Sequence, residues 1–135
     1  MTHLVDANVF SEVTKPLPNP SVVAWLRENA QDIVVDPLIL GEIRFGILLL
    51  APGRRRSQLE EWFQDVVASV VCIPWDATTG LRWARLAADL RASGKAMSIK
   101  DSLIASTALV HGFTVATRND RDFRWAGVPV FNPFR

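Results

Sequence analysis

Short β-leaning runs separated by helix-length segments constrain this chain more than any other feature. His3-Leu4-Val5, Ile33-Val34-Val35, Val70-Val71-Cys72-Ile73 and Thr114-Val115-Ala116 are brief and mostly apolar. Such runs suit a parallel sheet covered on both faces, where strands do not alternate between core and solvent. Val128–Phe131 adds a short edge strand. The segments between them carry helix punctuation. Asn19-Pro20 supplies a cap and a first-turn proline for a helix to about Ala30. Pro37 opens a strongly apolar helix, Leu38–Leu50, which Pro52-Gly53 ends. A third spans about Arg54–Ala68, with Leu59, Trp62, Phe63, Val66 and Val67 on one face. Asp76 caps a fourth, carrying Leu81, Ala84, Ala87, Ala88 and Leu90 and stopping near Gly94. Ser98 starts a fifth that runs to His111, with Gly112 beyond its end. This alternation predicts an α/β fold in three layers, with helices on both faces of a mainly parallel sheet of four to five strands. Such a sheet presents functional groups at the carboxyl ends of its strands.

With 135 residues, no repeat and no linker, positions 1–135 are expected to form one domain able to bury a core without staples. The single Cys72 excludes an internal disulfide, disfavours a cysteine-based zinc site and fits a reducing cytoplasm. Asp6 and Asn8 interrupt the first apolar residues, so no secretory leader is read. The longest apolar run, Ile43–Pro52, contains Arg44 and is too short for a bilayer; no membrane partner is expected. A net charge of +1 does not announce a nucleic-acid partner. Arg54-Arg55-Arg56 and the later group Arg118, Arg121, Arg124 and Arg135 are either solvated surface or steer phosphates.

Four acidic positions stand out. Asp6 ends the first strand, where its ordinary role is a helix cap. Glu42 lies in the apolar Leu38–Leu50 helix, sharing its face with Leu38 and Gly46; burying it needs a partner for its charge. Arg44, two residues on, points another way. Gly41 and Gly46 weaken this helix and suggest a close backbone approach. Asp101 has capping-box spacing from Ser98, and a first-turn carboxylate at a loop-facing helix end can also hold a metal. Thr117-Arg118-Asn119-Asp120-Arg121-Asp122-Phe123 opens at the same sheet edge as Asp6; alternatively it is a polar surface loop. Carboxylates gathered without a counterion repel, and a hard cation such as Mg²⁺ or Mn²⁺ removes that repulsion. His3 and His111 show no ligand spacing.

Taken in order, Leu4-Val5-Asp6-Ala7-Asn8-Val9, Ser11-Glu12, Gly41-Glu42-Ile43-Arg44-Phe45-Gly46, Ser98–Ala105, Ala116–Phe123 and Gly127–Val130 resemble the PIN-domain ribonucleases, specifically the virulence-associated protein C (VapC) toxins of toxin–antitoxin pairs. The Asn132-Pro133-Phe134 ending is most similar to the FitB-like subgroup. The resemblance covers essentially the whole chain. It implies a PIN-like fold and a Mg²⁺-dependent endoribonuclease (Mn²⁺ substituting) that hydrolyses RNA phosphodiesters with metal-activated water. It also implies neutralisation by a cognate VapB-like antitoxin. By position, Asp6, Glu42 and Asp101 match the family's three core acids, and Asp122, with Asp120 as competitor, supplies the fourth. All four would line the metal site, Asp6 and Asp101 most directly. Thr117, Asn119 and Asn8 would be supporting polar groups, and Arg118 and Arg121 would contact RNA. One departure is Ala7, where the family usually has Thr.

The apolar residues Trp25, Leu48–Leu50, Trp62 and Phe63 exceed the needs of one small core, so a homodimer and an antitoxin groove within a toxin–antitoxin hetero-oligomer are expected. Two other readings remain. One is a PIN-like binding module weak or inactive in catalysis, with Ala7 as its sign. The other is a phospho-accepting receiver domain using Asp36, but Thr117-Arg118 stands where that reading needs a lysine.

Overall fold

The computed structural model describes residues 1–135. β1 (His3–Val5) leads through Asp6 into a short helix α1 (Ala7–Glu12), and α2 (Pro20–Glu28) follows behind its Asn19 cap. Next come β2 (Ile33–Val35), α3 (Pro37–Leu48), α4 (Arg54–Asp65) and β3 (Val71–Cys72). α5 (Ala77–Ala92) and α6 (Ile99–His111) precede β4 (Thr114–Ala116) and β5 (Val130–Phe131). The punctuation acts as the sequence indicates. Asp76 accepts from the Thr79 amide, Ser98 from the Asp101 amide, and Gly112 ends α6 at φ 72°. That left-handed backbone is a conformation glycine adopts without penalty.

All strand pairs are parallel, in the order β3-β2-β1-β4-β5. His3 pairs with Ile33 on one side and Thr114 on the other, so β1 is central. The chain winds outward from β1 to β3, then crosses back to lay β4 on the other flank of β1. Winding direction therefore reverses between β1 and β4. In open parallel sheets a ligand crevice forms outside the carboxyl ends of the strands at such a point.

Apolar burial holds this arrangement. Leu4, Val5, Val35, Val115 and Ala116 from the sheet pack with Val9, Ile39, Ile43 and Ile104 from the helices, all nearly or fully buried. Each such aliphatic side chain contributes roughly 1.5–3 kcal/mol relative to exposure. Arg44 binds Glu60 at 3.5 Å and covers the Phe63 ring at 5.6 Å, joining α3 to α4.

Three expectations are corrected. β3 is not a buried strand: its two residues are exposed at the sheet margin, where only β2 pairs with it. Gly41 and Gly46 mark no close approach, because a Cβ at either would meet nothing within 4 Å. Trp25, Trp62 and Phe63 pack against the core rather than standing free, with Trp25 set 5.0 Å from His3 and 5.6 Å from Phe131. Leu48, Leu49 and Leu50 do remain exposed.

The open surroundings of Gly41 generate a test. Gly41→Ala is expected to stabilise the protein by about 0.5–1 kcal/mol through helix propensity alone, measured by urea denaturation. A loss of stability would show that backbone freedom is needed there.

Candidate active site

Asp6, only 6% exposed, stands at the carboxyl end of β1 where β1 and β4 adjoin. The Ala7 amide donates to its Oδ1 at 2.8 Å, making the carboxylate the cap of α1. The Thr117 hydroxyl at the end of β4 donates to its Oδ2 at 2.8 Å, and the Asn8 amide donates to the same oxygen at 3.2 Å. Thr117 is fully buried and accepts from the Asn119 amide at 3.1 Å; the Asn8 carbonyl accepts from the Arg118 amide. Thr117 and Asn8 thus lace the two loops together. The cap and the site are one group.

Two further acids, Glu42 and Asp101, are coupled to Asp6 through their charge, and a third, Asp122, acts on Asp101. Glu42 lies in the second turn of α3, with Oε2 accepting from Lys100 at 3.3 Å and Oε1 buried without any partner. Asp101 lies in the first turn of α6, fixed by its own amide's bond to Ser98. α6 leads into parallel β4, so its start lies toward the carboxyl edge of the sheet. Asp122 sits in the 3₁₀ turn Asp120–Phe123, pinned by buried Phe123, and shares with Asp101 the wall of a cavity of about 300 Å³. Asp120 turns aside to pair with Arg135 at 3.3 Å.

The electrostatics record this convergence. Burial raises the Asp6 carboxyl above its ordinary pKa against the pull of its three hydrogen bonds, and the charge of Asp101 raises it further. Burial raises Glu42 too, aided by Asp6 and Asp101, with Lys100 opposing. Asp101 is raised by burial and then by Asp122. Asp122, Asp101, Asp6 and Glu42 therefore form a chain of mutual repulsion. No three of these groups close on one point tightly enough to cage an ion as they stand. Charges couple over longer distances than a metal–oxygen bond spans. The donor set is all carboxylate and includes one buried, orphaned oxygen, so it fits a hard divalent cation that keeps several waters.

Other residues fall elsewhere. The Arg121 side chain lines the Asp101–Asp122 cavity, whereas the Arg118 guanidinium lies 4.9 Å over Phe134. Asn119 bonds through its backbone, its N–H donating to Thr117 and its carbonyl accepting from the Asp122 amide, and not through its side chain. Asp36 is fully buried, accepting from the Ile39 amide, the Thr107 hydroxyl and the Trp75 indole; it cannot receive a phosphoryl group, which excludes the receiver reading. Lys100, the one cation paired with a site acid, was missed by sequence reasoning, although its place beside Asp101 was a signal. Glu12 was likewise passed over as a bonding group. It is buried, and its carboxyl is held below the ordinary range by Lys15 and by the Asn19 amide, bracing the α1–α2 loop.

The model of the PIN domain matches residues 3–128. The chain belongs to the PIN-domain family. Within it, the chain groups with toxins of the FitB and VapC kind. Toxin FitB of Neisseria gonorrhoeae is 34% identical, the match covering 97% of each chain. VapC ribonuclease Y4jK of Sinorhizobium fredii is 32% identical over 97% of this chain and 96% of its own. The plasmid stability protein StbB of Pseudomonas syringae pv. tomato is 37% identical over 97% of each. The structure of FitAB bound to an IR36 DNA fragment contains a chain that superposes with a TM-score of 0.89 at 33% identity, covering 99% of this chain and 96% of that one. DNA-bound VapBC of Salmonella typhimurium shares the fold, with a TM-score of 0.82 at 18% identity over 98% of each.

Two expected outcomes separate the structural acid from the site acids. Asp36→Ala strands two buried donors, the Ile39 amide and the Thr107 hydroxyl, and the half-buried Trp75 indole, and should cost about 3 kcal/mol in chemical denaturation. Asp101 behaves oppositely. Because its folded pKa is raised, its contribution to stability is complete below the unfolded carboxylate value, about 4, and is lost as pH rises through the folded value. Asp101→Asn should therefore raise the Tm of chelator-treated protein at neutral pH, the gain vanishing as the medium is acidified below the unfolded value. Equal melting at neutral pH would show that the repulsion is absent.

Proposed function

We propose that this chain is a Mg²⁺-dependent endoribonuclease, the toxin of a toxin–antitoxin pair. The observation that carries the reading is the run of carboxylates Glu42, Asp6, Asp101 and Asp122, each acting on the next through its charge, with Lys100 the one cation in an ion pair with any of them. The names of its VapC ribonuclease relatives support the same activity. Asp6 and Asp101 hold the cation, and Glu42 and Asp122 complete the anionic basin. Bound there, Mg²⁺ supplies a Lewis acid that lowers the pKa of water and offsets charge on the scissile phosphate. Thr117 and Asn8 fix the Asp6 carboxylate in one orientation through their bonds to Oδ2. Lys100 offsets part of the charge on Glu42, and Arg121 meets the RNA backbone from the cavity wall. An inactive binding module would rest on Ala7 alone, yet Thr117 already brings a hydroxyl to Asp6.

Partners follow from the surface. An apolar cavity of about 350 Å³, lined by Phe10, Val13, Leu26, Trp62 and Val66 among others, receives a segment of a VapB-like antitoxin; the solved FitAB and VapBC relatives are complexes of this kind. Exposed Phe45 on α3 and Leu49 at its C-cap, four residues apart, form the homodimer face. No helix is long and apolar enough to cross a membrane. We place the enzyme in the cytoplasm, where the free thiol of Cys72 stays reduced.

Antitoxin-free protein incubated with a labelled structured RNA should cleave it with Mg²⁺ or Mn²⁺ and not with excess chelator, and Asp6→Asn should abolish cleavage. Cleavage that persists undiminished in chelator would overturn metal dependence; none from folded protein with either metal would overturn the nuclease. Because burial raises the carboxyls of Asp6, Glu42 and Asp101, Mn²⁺ affinity measured by calorimetry should fall as the medium is acidified, the fall beginning at a higher pH than ordinary carboxylates would give.

A further inference from the structure

We propose that Trp125, flanked by Lys95 and Arg124, is a stacking subsite for one unpaired RNA base beside the acidic basin. The inference rests on the nuclease reading and adds to it how the substrate strand is gripped. Of the five tryptophans, Trp125 is the only one left exposed, at 43%. It is not loosely held. Phe123 and Ala126, both buried, pin the backbone on either side and project the indole outward. The ring forms part of the wall of the cavity that Asp101 and Asp122 also line, so a base lying on it belongs to a nucleotide close to those two carboxylates.

The cations around the indole fit a nucleotide better than a fold-stabilising role. Lys95 Nζ lies 4.2 Å from the ring centroid and Arg124 Cζ 4.8 Å. Neither of them, nor Arg121 on the same cavity wall, makes an ion pair, although two carboxylates line that cavity. Unpaired cations around an open aromatic face are the combination by which single strands are bound, the rings taking bases and the charges taking phosphates. Lys95 follows Gly94, whose φ of 68° turns the chain at the end of α5, and the lysine itself is exposed. Its flexible stem lets the ammonium swing from the ring to a flanking phosphate when a base arrives. Stacking on an indole is tolerant of base identity and needs an unstacked base, so the occupant is a loop or single-stranded segment rather than a duplex.

The test uses the full chain in an Asp6→Asn background, with Mg²⁺ present, and measures anisotropy of a labelled single-stranded RNA oligonucleotide. Trp125→Ala should weaken binding by roughly tenfold or more, and Trp125→Phe should recover most of it. Binding of the same sequence as a duplex should be unaffected. In the otherwise wild-type enzyme Trp125→Ala should raise KM with kcat nearly unchanged. Unaltered strand binding in Trp125→Ala, with the wild type still cleaving, overturns the subsite and leaves the nuclease standing. Equal losses for strand and duplex, or a failure of Phe to rescue, would assign Trp125 to the turn's packing and overturn it as well. If the wild type cleaves no RNA and the Asp6→Asn parent binds none, the nuclease reading fails and the subsite falls with it.

Discussion

The hydrogen bond from Thr117 to Asp6 is the contact on which the rest of the site depends. It joins the carboxyl ends of two neighbouring strands, between residues 111 positions apart in sequence. It forms where the winding of the sheet reverses, the one place where two adjacent strand ends splay their loops apart. The bond satisfies a buried hydroxyl and orients a buried carboxylate together, so neither residue could be replaced without exposing a cost in the other. Asn8 and the Ala7 amide complete the hold on Asp6, leaving it little freedom to reorient.

Around that fixed carboxylate the fold assembles charges that oppose one another. Asp6, Glu42 and Asp101 all resist ionisation, and Lys100 relieves only Glu42 directly. A chain selected for stability alone would place amides or hydroxyls there. The repulsion is tolerated because the core beneath is well filled, with fully buried aliphatic side chains in every central strand and in α1, α3 and α6. Strain of this sort at one edge of an otherwise consistent structure is where function is to be looked for.

Much of the fold was legible because local signals agreed with one another. The brief apolar runs became parallel strands, and Asn19, Asp76, Ser98 and Gly112 began or ended helices where their chemistry suggested. Asp6 and Asp101 carried cap signals and site signals at once, so sequence alone could not choose between roles that do not exclude each other: Asp6 caps α1 while its charge is coupled to that of Asp101, whose own amide is held by Ser98. Other features were hidden. The apolar Val70–Ile73 run reads like a core strand, but its exposure is decided by its place at the margin, which periodicity does not encode. Gly41 and Gly46 look like packing residues until their empty surroundings are seen. Asp120 and Asp122 are indistinguishable in a polar loop; Arg135, at the far end of the chain, separates them by drawing Asp120 away. Lys100 could be found as a partner for Glu42 only once α3 and α6 were packed together.

The central position of the first strand has a consequence for how such a molecule is made. β1 leaves the ribosome before every other strand, yet its neighbour β4 emerges only after β2, β3 and the helices between them. A nascent chain that has emerged only as far as α6 holds Asp6, Glu42 and Asp101 but lacks the strand that leads to Thr117 and the turn that delivers Asp122. On the proposed reading, synthesis itself acts as a safety catch: the destructive centre comes into being only after β4 and the turn that follows it have emerged.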